Sequence, residues 1–274
     1  MEWVVETDLA AYAERTLPWL ERDPVRNTVP ATVLVSRLDG AVAGPDPWLA
    51  WLADEAGEVA GVALCTPPRS LLLAALPAGA VRALAAVAEP RLPGAAGRAD
   101  LVAEFAAAYA ARTGGTARLA IAQRLFRLGE LVPPEHSVGR LRAATEADIE
   151  LGAGWFDDFC TEAGLPRDPD VLASSRRVVT QRRLLFWEVD GEPVSMVGHS
   201  PTVAGVTRIG PVWTPPEQRR RGFAAAATAE LAGRLRAQGE VVLFADRANP
   251  TSTGVYRRIG FRPVAEWDDW VLEY

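Results

Sequence analysis

The sequence predicts a layered α/β protein in two domains, and three observations lead there. Strand-like runs alternate with helical apolar periodicity along most of the chain. The length of 274 residues exceeds the ~100–150 residues near which domains cluster. Hydrophobic residues at 49% and charged residues at 23% are ordinary globular usage, with enough apolar material for two cores. The segment 129–139, GELVPPEHSVG, sets a proline pair, glycines and polar residues between two periodic regions and reads as a linker. The expected domains are therefore 1–128 and 140–274.

Periodicity assigns the first domain a helix over 7–20, strands over 48–53 and 59–65 with a turn at 55–58, an apolar strand over 71–76, helices over 80–88 and 100–112, and a strand over 116–128. The apolar stretch 71–88 is broken by Pro77, Gly79 and Arg82, so it reads as strand, turn and helix and not as a membrane span. The second domain opens with a strand over 140–144 and helices over 146–163 and 170–181. A hairpin, 184–189 and 194–199, turns at Asp190–Gly191, a dipeptide suited to the left-handed backbone of tight hairpins. Then follow a strand over 206–214, a helix over 223–238, a strand over 241–246, a helix over 250–259 and a pair of strands, 261–265 and 270–274. Hairpin, strand, helix, strand, helix, strand recurs in both domains, so element order suggests an internal duplication without any sequence period.

Composition removes several chemistries. All 29 basic residues are arginine, which excludes lysine Schiff bases, lysine general bases and the lysine of Walker-type phosphate loops. The only histidines are His136 and His199, and Cys65 and Cys160 lie far apart without C-x-x-C spacing, so no metal site is expected. The start MEWVVETD has acids where a signal peptide needs basic residues, which predicts a cytoplasmic protein. Net charge is −6, with 12 arginines against 16 acids up to Glu135 and 17 against 19 after it. Neither part is basic enough to predict a nucleic-acid partner.

The most informative segment is GPVWTPPEQRRRGFAAAATAELAGRLRAQG, residues 210–239, where a strand stops at Pro215–Pro216 and a helix begins at Phe223, after Gly222. Ala224, Ala227, Leu231 and Leu235 recur at spacings of three and four, with Gly239 as the stop. The first turn of that helix exposes N–H groups without intrahelical partners, at the positive end of its dipole. With Arg219, Arg220 and Arg221 they make a compact site for a pyrophosphate, and Gly222 lets the main chain approach it closely.

VWTPPEQRRRGFA resembles the acyl-CoA-binding motif of the GNAT superfamily of N-acyltransferases, with Arg219, Gly222 and Ala224 at its three defining positions. The resemblance covers roughly 140–274. It implies a mixed, mainly antiparallel sheet with flanking helices, in two copies, and acetyl-CoA or another acyl-CoA as cosubstrate, with an amine acceptor and no metal. It also implies that the strand before the motif parts from its neighbour and that the main chain of Val212, Trp213 and Thr214 bonds the pantetheine arm.

The segment LFADRANPTSTGVYRRIGF, residues 243–261, reads as a short helix with Asn249 at its N-cap, Pro250 at its first position and Gly260 as its stop. Asn249, Ser252 and Tyr256 share one face by spacing. In the family resembled, an Asn and a Tyr so placed face the acyl-CoA. That implies Tyr256 as the group that protonates the departing sulfur, while N–H groups near 212–214 polarise the carbonyl. The acid that takes the amine proton stays open among Glu162, Glu192, Asp246 and Glu266.

In the first domain the corresponding loop reads LPAGAVRAL and lacks the Arg or Gln, two residues, Gly pattern, so this half reads as a degenerate copy. Trp48, Trp51, Trp155, Phe156 and Phe159 read as packing residues, and Cys160 as a small buried hydrophobe. A sensor that binds CoA or acyl-CoA without turnover is the alternative to an enzyme. Acceptor and oligomeric state are not legible.

Overall fold

The computed structural model describes residues 1–40, 44–77, 79–89, 91–135 and 138–274. His136, inside the expected linker, lies outside the described residues. The chain divides into two compact units.

The first unit takes Met1–Leu125, Asp246–Ala248 and Val264–Tyr274. Its elements are β1 (Glu2–Glu6), α1 (Leu9–Leu20), α2 (Thr28–Leu38), β2 (Trp48–Ala53), β3 (Val59–Cys65), β4 (Leu71–Leu73), α3 (Ala80–Val87), β5 (Gly94–Arg98), α4 (Ala99–Thr113) and most of β6 (Thr116–Leu128). Its strands run in the order β1-β2-β3-β4-β5-β12, where β12 is the last strand of the chain, Phe261–Glu273. All of these pairs are antiparallel except β4–β5. The core gathers Leu52, Leu71, Leu84, Phe105 and Tyr109 under α3 and α4. Each apolar face is removed from water at roughly 25 cal/mol per Å².

The second unit takes Phe126–Ala245 and Asn249–Pro263. It holds β7 (Arg140–Ala143), α5 (Ile149–Glu162), α6 (Val171–Thr180), β8 (Leu184–Val189), β9 (Glu192–His199), β10 (Val206–Trp213), α7 (Phe223–Leu235), β11 (Glu240–Asp246) and α8 (Pro250–Arg258). Strand order is β11-β10-β9-β8-β7, with β10–β11 the parallel pair. One core cluster includes Val212, Phe223, Leu231, Tyr256 and Phe261. A separate cluster carries Phe186, Met196 and Trp213, with Trp155, Phe156 and Phe159 of α5 packed on it. The mixed, mainly antiparallel α/β architecture is the one the sequence implies.

Three elements go beyond the sequence reading. β1 is a five-residue strand, α2 carries Pro30 and β-branched residues, and β5 is GAAGR. α2 and β5 are held by tertiary contact against weak local preference, whereas β1, with Trp3, Val4 and Val5, follows its own strand preference. The expected break between two closing strands is absent, because β12 runs continuously from Phe261 to Glu273. The acids between the two expected strands are partnered: Asp268 accepts from Arg247 Nη2 at 2.7 Å and Asp269 from Ser70 Oγ at 3.0 Å. The start of the expected linker is also tied down, with Gly129 N–H bonded to Gly260 C=O at 3.1 Å and Val132 N–H to Ile259 C=O at 3.2 Å.

Candidate functional site

The site is built where β10 ends. The parallel ladder between β10 and β11 joins Val206–Ile209 to Glu240–Leu243. Beyond that point β10 continues to Trp213 and β11 to Asp246 without pairing to each other. On its other edge β10 bonds β9 through Val212↔Val197 and Trp213↔Met196, after a register shift between Ile209 and Val212. Gly198 faces the bulge, where a Cβ would sit 3.1 Å from Pro211 Cδ and 3.2 Å from the Gly210 oxygen. A bulge of this kind bends a strand and strengthens its twist, and here it turns β10 away from β11. The edge of 210–213 that faces β11 is left without ladder bonds.

After β10 the chain makes one 3₁₀ turn, Pro216–Gln218, and enters α7 through Arg219–Gly222. Arg220 and Gly222 both have positive φ, 61° and 81°. The first main-chain bond of α7 runs from Ala226 N–H to Gly222 C=O at 3.0 Å, and no side chain caps the helix. The N–H groups of Phe223, Ala224 and Ala225 therefore precede the helical ladder. Nothing lies within 4 Å of where a Gly222 Cβ would be, so the main chain is open to close approach at Gly222. The dipole and the amides together favour an anion there.

The three arginines separate. Arg219 turns back on the strand end: its Nε donates to Thr214 C=O at 2.9 Å, its Nη2 meets Glu162 Oε2 at 2.7 Å, and its guanidinium lies 4.8 Å from the Trp213 ring centre. Arg221 donates to Gln218 Oε1 at 2.6 Å and stacks on Phe223 at 4.7 Å. Arg220 is exposed. Behind the strand end, buried Ser195 donates to Trp213 C=O at 3.0 Å and shares a 2.8 Å hydroxyl contact with Thr214. Ser195 escaped the sequence reading, although a single Ser inside the apolar run VSMV was its signal.

In α8, Asn249 caps the helix by accepting from Ser252 N–H at 3.0 Å, with Pro250 at the first position. Tyr256 packs in the same cluster as Phe223 and Val212, edge-on to Phe261 at 6.3 Å between ring centres. Burial pushes its phenol up to about 12, because the anion would be poorly solvated there. The phenol thus keeps its proton throughout the physiological range.

Of the acids left open for the amine proton, Glu162 is engaged by Arg219 and Glu192 is exposed at the start of β9. Asp246 and Glu266 belong to the first unit, where Glu266 binds Arg124 and Arg247. Among the described residues no His, Cys, Asp and Glu cluster suited to a metal occurs, and no helix is long and apolar enough to cross a membrane.

Comparison with known proteins bears on this site. The acetyltransferase (GNAT) family matches residues 153–261, a span holding most of α5, the parted strands, the α7 loop and α8. An acetyltransferase from the GNAT family of Colwellia psychrerythraea is similar over 100% of both chains, with TM-score 0.63 and 9% identity. A GCN5-related N-acetyltransferase from Sphaerobacter thermophilus covers 98% of this chain and 94% of its own, with TM-score 0.61 and 18% identity. A tandem GNAT protein from the clavulanic acid biosynthesis pathway covers 99% and 98%, with TM-score 0.56 and 14% identity. Identities this low speak to the fold alone. No curated protein sequence matches the chain.

Proposed function

We propose that the protein, whose residues 153–261 match the acetyltransferase (GNAT) family, is an acyl-CoA-dependent N-acyltransferase that moves an acetyl group from acetyl-CoA directly to an amine. The observation that carries this reading is the coincidence of parted strands with an uncapped helix start. β10 and β11 cease to pair after Ile209 and Leu243, and α7 begins on Gly222 with open space at that glycine.

The amides of 220–224 take the diphosphate in the positive field of the Arg219–Arg221 loop. The free edge of Val212, Trp213 and Thr214 bonds the pantetheine arm, with Asn249 and Ser252 at the start of α8 on the same ligand. In the reaction the amine nitrogen forms a bond to the thioester carbonyl carbon and the carbon–sulfur bond breaks. N–H groups of the strand end stabilise the charge that develops on the carbonyl oxygen. Tyr256 gives its proton to the departing sulfur, and the proton lost by the amine restores the phenol. A phenol held near 12 is protonated when the thiolate, whose own pKa is roughly 8.5, leaves.

The test is a screen of small amine acceptors with acetyl-CoA, read by mass spectrometry of the product and by a thiol-reactive dye. Acetylated amine with one thiol released per turnover is expected. Tight CoA binding without product from any amine class points to a sensor instead.

A further inference from the structure

We propose that Arg219 is a clamp on the end of β10, held in place by Glu162, and that the diphosphate is left to the loop amides and Arg220. This rests on the acyl-CoA reading and assigns Glu162 a role in that same site.

The geometry divides the arginines by what their charges already satisfy. Arg219 has a carboxylate on Nη2 at 2.7 Å, a main-chain carbonyl on Nε at 2.9 Å and an indole face at 4.8 Å. The Nε–Nη2 edge, the edge that grips an oxyanion bidentately, is taken by a carbonyl and a carboxylate, and a diphosphate binding along that edge would displace both. What it holds is the segment whose main chain must meet the thioester: Thr214 by its carbonyl and Trp213 by its ring. Ser195 fixes the same two residues from the other side, at 3.0 Å to the Trp213 carbonyl and 2.8 Å to the Thr214 hydroxyl. Strand end and loop are thus pinned between a buried serine on β9 and a carboxylate at the C-terminal end of α5. Arg220, with its left-handed backbone and exposed side chain, is the loop arginine set apart from this arrangement.

Glu162 is accordingly a positioning residue. Its side chain is 54% exposed and that of Arg219 37%, so the ion pair itself contributes little in water. Its effect lies in orienting the stacked guanidinium.

Calorimetry of acetyl-CoA binding to the full chain and three variants decides the matter. Glu162→Gln removes a negative charge beside an anion site, which by electrostatics alone tightens CoA binding. The clamp predicts the opposite sign, about threefold weaker binding. Arg219→Ala should weaken binding about tenfold, and adding Glu162→Gln to it should change nothing further, since coupled residues are not additive. The dependence of affinity on salt should keep its slope in Arg219→Ala, because no phosphate contact is lost. Tighter binding by Glu162→Gln, additive losses in the double variant, or a shallower salt slope in Arg219→Ala would each overturn the clamp while leaving the acyl-CoA reading intact. A wild-type chain that binds no acetyl-CoA overturns both.

Discussion

The two units use the same element order to different ends, and the difference lies in how two parallel strands finish. In the first unit β4 is paired along its whole length, Leu71–Leu73 to Ala95–Gly97, and a Cβ on Gly97 would come within 2.8 Å of the Leu73 oxygen. The strands stay in contact to their ends. In the second unit the ladder stops at Ile209 and Leu243 while both strands go on. The helices that follow begin alike: Gly79 and Gly222 are both left-handed N-caps at φ 81° with no side-chain cap. A glycine-started helix is therefore common to both units and does not by itself define the site. What the second unit adds is a strand bent away by a bulge and three arginines before the glycine where the first unit's sequence reads Leu76, Pro77 and Ala78.

This comparison is broken or sharpened most directly at the two glycines. Gly222→Trp sends a large side chain into the space proposed for the diphosphate and should weaken CoA binding by ~10²-fold or more. Gly79→Trp imposes the same left-handed strain and should leave CoA affinity unchanged. Calorimetry on both variants reads the contrast, and equal affinities would remove the loop from its role.

Tyr256→Phe is next in size. Affinity for CoA should hold while thiol release falls by ~10²-fold, since a thiolate leaves tolerably well unaided. Because the phenol is pushed up to about 12, it is protonated below that pH. Turnover should therefore rise through the alkaline range as the amine deprotonates, with no loss before about pH 10. A fall near pH 8 or 9 contradicts Tyr256 as the acid, and so does a rate equal to wild type in the Phe variant.

Much of the second unit was legible because its signals are local. The Pro215–Pro216 stop, Gly222 and the spacing Ala224, Ala227, Leu231, Leu235 mark strand end, loop and helix within one stretch of chain, and Asn249–Pro250 marks the next helix start. The side-chain destinations were not. Arg219, Arg220 and Arg221 are identical in the sequence, and what sets Arg219 apart includes Glu162, 57 residues away. In the first unit β5 is built of small residues that gain strand character from their neighbours. The continuity of β12 through Asp268 and Asp269 was not legible because their partners, Arg247 and Ser70, lie elsewhere in the sequence.

The units should also part in their response to acid. Asp148 accepts from Arg142 at 2.8 and 2.9 Å and from Thr145 N–H at 2.7 Å, and these contacts, the arginine's foremost, pull its carboxyl down to about 2. A folded pKa below the unfolded one stabilises above about pH 4, and that contribution fades as pH falls toward 2. Asp148→Asn should cost on the order of 2 kcal/mol at pH 7 and less at pH 3. In the first unit burial raises the Asp269 carboxyl, so its ionisation works against folding, and Asp269→Asn should be neutral or stabilising at pH 7. Urea unfolding at the two pH values tests the opposite signs. Losses of equal size from both variants would show that burial and pairing do not separate the units in this way.

The smallest effect tests the charges alone. Arg82, the arginine of α3 in the first unit, pairs with Glu104 at 3.1 Å with its own side chain 79% exposed. Such a pair adds little stability, and Arg82→Ala should change neither folding nor CoA affinity measurably. Arg220→Ala removes a guanidinium from the left-handed position of the second unit's loop, beside amides that already favour the anion. Its loss should weaken CoA binding about fivefold at low salt and less at 0.5 M, since screening shortens the reach of an exposed charge. A salt-independent loss would place Arg220 in the packing of the loop instead of against the ligand. If Arg82→Ala weakened CoA binding as much as Arg220→Ala, the contrast drawn between paired and parted strands would fail, because charge in either unit would then serve the ligand equally.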